Sequence, residues 1–164
     1  MNAPILNIAD VELQPRPATL APSGAAAERF DARMGYIGTK IGAQKLGYNI
    51  TAVPPGKCAF PFHNHRANEE MFLVLHGRGE VRIGANTWPL REGDVVACPP
   101  GDASTAHQIR NTGDVELRYL AVSTKLSPEI AEYPDSGKFG VLADNFRFVG
   151  RPQLAVDYWD GEGG

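Results

Sequence analysis

Apolar residues along this chain fall in short runs and not in long helical stretches: Tyr48 to Val53, Met71 to Leu75, Glu80 to Ile83, Val95 to Cys98, His107 to Arg110 and Val115 to Val122. Runs of this length, bounded by turn residues, predict β-strands. The connectors supply the boundaries. His76 to Gly79, Gly84 to Thr87, Arg91 to Asp94, Pro99 to Asp102 and Asn111 to Asp114 are rich in Gly, Pro, Asn and Asp, the residues tight turns select. Strands recurring at this spacing predict an all-β sandwich or barrel, with its body over residues 31–125.

The two flanks read differently. Residues 1–30 form a Pro- and Ala-rich lead of weak periodicity, expected to lie extended and to pack on a neighbouring subunit. In residues 126–164 a short helical turn is expected first, because Ser127 suits a cap, Pro128 the first helical position and Glu129 the positive end of the helix dipole. Pro134 then stops it. Lys138 to Gly164 mixes aromatic and charged residues and is expected to pack back on the barrel as a C-terminal extension.

Composition narrows the function classes. With 164 residues, 43% hydrophobic and 21% charged, the chain has enough apolar material for one folded domain. A formal charge of -3 carries no electrostatic footprint for nucleic acid. The longest run of large apolar residues, Met71 to Leu75, is far short of the roughly 20 that a membrane helix needs. Met1 to Leu13 carries no basic residue and contains Asp10 and Glu12, so it does not read as a secretory signal, and a cytoplasmic location is expected. Cys58 and Cys98 are too few to staple such a fold and are expected to be reduced, inert core residues.

The chemistry concentrates between Gly56 and Gly77. Side chains alternate on a strand, which puts His63 and His65 on one face, about 7 Å apart along it, a spacing that suits two ligands of one metal. Residues Arg66 to Glu69 make a hairpin loop, so Glu70 begins the returning strand opposite the histidines. His107, at the start of another strand, is placed to close the set from across a barrel. Of the remaining candidates, His76 reads as an exposed turn residue and Asn111 as a turn residue in Asn111 to Asp114.

These residues resemble the two motifs of the cupin superfamily. The first runs glycine, five residues, His-x-His, three or four residues, Glu, six residues, glycine; Gly56, His63, His65, Glu70 and Gly77 follow that order, with four residues after His65 and six after Glu70. The step to Gly77 selects Glu70 over Glu69. The second motif is matched in order by Gly93, Pro99, Gly101, His107 and Asn111. Two loops are wider than the pattern: six residues stand between Gly56 and His63, and five between Gly101 and His107. The resemblance covers about residues 45–123 and implies a double-stranded β-helix, a jelly-roll cupin barrel, with a divalent metal ion held by His63, His65, Glu70 and His107 inside its mouth. It also implies a homodimer.

Three imidazoles and a carboxylate are donors of intermediate hardness that suit Fe, Mn, Ni or Zn without selecting among them. Four protein ligands in an octahedral site leave two adjacent positions, room for a substrate with two oxygen donors or for one donor and O₂. The expected function is therefore a metal-dependent enzyme acting on a small oxygenated metabolite, dioxygenase-like ahead of isomerase or decarboxylase. The alternative is a non-catalytic module that binds or senses a sugar or organic acid. Phe72, Ile109 and Tyr119 are expected to line the substrate pocket, and Gln108 to orient ligand or substrate by hydrogen bonding.

Overall fold

The computed structural model describes residues 3–163. After a 3₁₀ turn at Ile8–Asp10 come β1 (Gln14–Pro15), the short helix α1 (Ala25–Arg29), β2 (Arg33–Tyr36) and β3 (Leu46–Val53). The segment with the histidine pair contains β4 (Asn64–His65) and is followed by β5 (Glu70–His76), β6 (Arg78–Ile83), β7 (Asn86–Arg91) and β8 (Val95–Cys98). Then follow β9 (His107–Arg110), β10 (Leu117–Thr124), β11 (Glu129–Tyr133), β12 (Lys138–Ala143) and β13 (Phe146–Gly150). The protein is thus all-β, as the short apolar runs require.

Two layers face each other. One is the sheet β1-β2-β3-β10-β5-β8. The other joins β7-β6-β9 to β4-β11-β12-β13 through the pairing of His63 with His107, whose backbones exchange hydrogen bonds of 2.7 and 3.1 Å. Every named strand pair is antiparallel. The alternation of side chains on each layer fills the space between them: Val53, Phe72, Val74, Val81, Ile109, Leu117 and Tyr119 form one buried cluster. The opposite parity of β3 and β10 gives Ile50 and Leu120 to the outer face, where Leu6, Val11 and Leu13 cover them.

That cover is the N-terminal lead. It is pinned by β1, which pairs with β2 of its own chain, Gln14 opposite Met34. Val11 packs so close to Gly35 that an added Cβ would overlap its Cγ1, so only glycine lets the lead lie flat there.

The helical turn expected after Ser127 is not formed. Glu129–Tyr133 is strand β11, paired on one side with β12 and on the other with β4. Strand alternation turns Glu129, Ala131 and Tyr133 inward, and burial of the Glu129 carboxylate against backbone donors outweighs its use at a helix N-terminus. The C-terminal extension continues as β12 and β13 and so completes the second layer. Among the described residues no helix is long and apolar enough to cross a membrane.

Candidate metal centre

His63 and His107 sit directly opposite each other in the second layer, and His65 follows two residues on with the same facing. Glu70 opens β5 in the facing layer, opposite Cys98 of β8. Its inward parity aims the carboxylate across the barrel at the imidazoles. Glu70 Oε2 lies 2.9 Å from His107 Nε2, 3.3 Å from His65 Nε2 and 3.6 Å from His63 Nε2. The donor atoms of His63, Glu70 and His107 all lie within 4.8 Å of one another. His65 stands outside that tight trio and reaches it through Glu70.

The set fits a cation. His63 Nδ1 is 2.9 Å from the Pro61 carbonyl, so in the neutral ring the proton belongs on Nδ1 and the Nε2 lone pair faces the Glu70 anion. Lone pair against anion is repulsive unless positive charge, a proton or a metal ion, comes between them. Glu70 is held well below the usual carboxylate range: burial opposes its charge, and the imidazoles that converge on it, His107 at hydrogen-bond distance with His63 and His65 beside it, more than reverse that. Burial also opposes protonation of His65, yet its hydrogen bond to Glu70 and the charges of Glu70 and Glu129 raise its pKa above the ordinary value. At His107 burial wins and the pKa falls, helped by the charge of His63 and resisted by Glu70.

Behind the ligands a carboxylate holds the loop. Glu129 Oε1 accepts backbone hydrogen bonds from Arg66 and Ala67 at 3.0 and 3.2 Å, and Oε2 accepts one from Asn68 at 2.7 Å. The Asn68 side chain donates to the same carboxylate, and its Oδ1 accepts from Thr124 Oγ1 and the Leu126 backbone. The four-residue connection between His65 and Glu70 is therefore fixed from β11. Glu129 gave no metal-site signal in the sequence beyond one legible sign, its shared parity with Ala131 and Tyr133.

Beside the trio lies a cavity of about 240 Å³. Its walls include Phe60, Phe72, Ala121, Ala131 and Leu142, with Asn49 and Tyr133 as polar groups besides the histidines and Glu70. Of the residues expected to form a substrate pocket, Phe72 lines this cavity. Ile109 and Tyr119 share the inward face but sit deeper, in the packed cluster, Tyr119 meeting the Phe72 ring edge-on at 5.6 Å. Gln108 has the opposite parity from His107 and lines a different cavity with Cys58 and Arg110, its Nε2 donating to the Phe60 carbonyl at 2.8 Å. Asn111 is fully buried and bonds the Val53 and Val115 carbonyls and the Gly113 N–H, a turn residue throughout. His76 is exposed.

A two-layered jelly roll with a histidine–carboxylate cluster between its layers defines a class of proteins, and comparison with known proteins gives it a name. The family model of the cupin domain matches residues 49–123. Protein SchB from Streptomyces halstedii is 33% identical over 107 residues, 65% of this chain and 72% of SchB. The chain belongs to the cupin family. An oxalate-binding protein from Thermotoga maritima is 33% identical over 70 residues, 43% of this chain and 54% of that protein. The chain thus spans about half the length of this relative. Among solved structures, a sugar phosphate isomerase of the cupin superfamily from Silicibacter pomeroyi superposes with a TM-score of 0.79 at 23% identity, covering 95% of this chain and 98% of that one. That likeness is one of fold.

Proposed function

We propose that this cupin is a metal-dependent enzyme acting on a small oxygenated metabolite, with a divalent ion held by His63, His65, Glu70 and His107. The observation that carries the reading is the convergence of three imidazole Nε2 atoms on one half-buried carboxylate oxygen. When bound, the ion supplies Lewis acidity and, if redox-active, electron exchange between a chelated substrate and O₂. The chain's own residues do the rest. His63, Glu70 and His107 fix the donor positions, Glu129 holds the loop that carries the neighbouring ligands, and the apolar walls keep water from the reacting atoms.

Oxidative, dioxygenase-like chemistry ranks ahead of isomerisation or decarboxylation on the composition of the cavity. Moving a proton between adjacent carbons needs a general base that titrates near neutrality. Apart from the proposed ligands, the only titratable group lining the cavity among the described residues is the Tyr133 hydroxyl, which burial pushes above its ordinary value, with Arg147 opposing the rise. An apolar chamber without such a base suits O₂.

Binding without turnover is the second reading, favoured by the 33% identity to an oxalate-binding protein. Metal analysis of protein purified without chelator, followed by oxygen-uptake assays with catechols, diketones and hydroxy acids, separates the two. Stoichiometric metal with oxygen uptake supports the oxidative enzyme; metal with no turnover of any of these compounds supports the binding role. Absence of metal after loading with each candidate ion overturns the enzyme reading and leaves binding of a sugar or organic acid without metal. The homodimer implied by family resemblance is tested by solution size, and a monomer counts against it.

A further inference from the structure

A second cavity, of about 430 Å³, adjoins the first across the Phe60 ring, which lines both. The inner face of the first layer runs from one into the other. Ala121 is the cross-strand partner of Phe72 and of Asn49, and Asn49 is the partner of Tyr36, so these side chains share one face. Phe72, Ala121 and Asn49 line the metal-side cavity, and Tyr36 lines the outer one. The opposite layer repeats the relation: Leu142 lines the inner cavity, and its cross-strand partner Arg147 lines the outer.

The outer chamber is positively charged. Its charged lining residues are Arg16, Lys40 and Arg147 against Glu12, whose carboxylate accepts a hydrogen bond from Gln14. Arg16 is stacked 4.5 Å over Phe60 and tethered by one donor to the Ala59 carbonyl, a placement that holds its guanidinium against the ring that both spaces share. No carboxylate pairs with Arg16 or Arg147 among the described residues, in contrast to Arg33, Arg66 and Arg82. Two guanidiniums without anionic partners, one immobilised on an aromatic face, form a ready site for an oxyanion.

We propose that the outer chamber is the far half of the substrate site, where Arg16 and Arg147 hold an anionic tail, carboxylate or phosphate, of a molecule whose oxygen donors reach the metal centre. The inference rests on the metal-centre reading for the near end alone. It specifies the substrate class as a small hydroxy or keto compound with a second, anionic end on the far side of Phe60 from the ligating oxygens.

Two matched pairs test it by calorimetry on Mn-loaded protein: 2-hydroxyglutarate against 2-hydroxypentanoate, and 4-phosphoerythronate against erythronate. Within each pair the chelating end is the same and only the distal anion differs. The pair with the larger gain identifies the tail, and that gain is expected to be about tenfold or more in affinity. Arg147→Ala, at an exposed residue with no hydrogen bond to lose, is expected to remove most of the gain and leave the neutral-tailed member unchanged; Arg147→Lys retains part of it. Equal affinities within both pairs overturn the proposal. Inorganic phosphate titrated into metal-free protein reads the chamber without the centre: binding lost in Arg147→Ala supports the anion site even if no metal is taken up, and no binding counts against its phosphate form. Stoichiometric Mn uptake is measured separately, so failure of the centre and failure of the chamber give different results.

Discussion

Nδ1 of His65 lies 3.6 Å from Oε2 of Glu129, a carboxylate that is 4% exposed and also receives the backbone N–H groups of the loop leading to Glu70. One side chain thus stands beside a proposed ligand as a charge and fixes the connection between two of them. Replacing Glu129 by Gln puts an amide N–H₂ where one of these acceptor oxygens stands and leaves buried donors unsatisfied. The expected cost is about 1–3 kcal/mol of folding stability, with metal affinity reduced about tenfold or more. Urea unfolding and metal titration of Glu129→Gln check the two effects independently.

His63→Ala removes a proposed ligand from the rim of the cluster while the pairing of its backbone with His107 persists. Metal retention is expected to fall by at least about tenfold with the β-rich circular dichroism unchanged. Unchanged metal content in the folded variant would take His63 out of the ligand set.

The metal-free protein should have a steep acid limb. Glu70 is held below its ordinary pKa because the three imidazoles around it outweigh its burial, and Glu129 is also lowered, its backbone hydrogen bonds from Ala67 and Asn68 overcoming burial. For a carboxyl depressed on folding, the stabilisation is complete above the unfolded value of about 4.3 and is lost as pH falls toward the folded one. His65, raised, contributes fully below about 6.5 and loses its contribution as pH climbs through its folded value. His107, lowered chiefly by burial, contributes with the opposite sign in that region, fully above about 6.5. The two histidines oppose each other near neutrality, so the net slope lies on the acid side. Unfolding midpoints measured from about pH 2 to 7 should drop below about pH 4 in the wild type and flatten in Glu70→Gln.

Gly77 turns the β5–β6 hairpin at a φ of 82°, and a Cβ there would stand 2.7 Å from the Glu116 carbonyl oxygen. Gly77→Ala therefore carries both a left-handed backbone penalty and a clash with main chain, and is expected to cost about 2 kcal/mol or more. Gly56 has a φ of 76° with nothing within 4 Å of the same position, so Gly56→Ala should cost only about 1–2 kcal/mol. Thermal unfolding of the two variants side by side measures the difference.

The sequence made the barrel legible where strands are half-buried and alternate, as in β5, β6, β8 and β10. It hid β7, whose Asn86–Arg91 run is exposed at every position but Leu90 and includes Pro89, and β4, two residues long. The side-by-side facing of His63 and His65 and the return of Glu70 followed from strand parity alone. Parity also separates Gln108 from His107, but depth within a barrel is not a property of parity, and so Tyr119 and Ile109 read as pocket residues while standing in the core. Glu129 read as a first-turn acid of a helix because Ser127, Pro128 and Glu129 satisfy local rules for a helix start. The long-range demand of the loop at 66–68 decided otherwise.

The family model stops at residue 123, yet the carboxylate that clamps the ligand loop comes from β11, beyond that boundary. A graft of the matched module into another scaffold would transfer all four proposed donors without the clasp that sets their spacing. For this barrel, inherited module and working part are different lengths of chain, and any transplant must carry the appended strand with it.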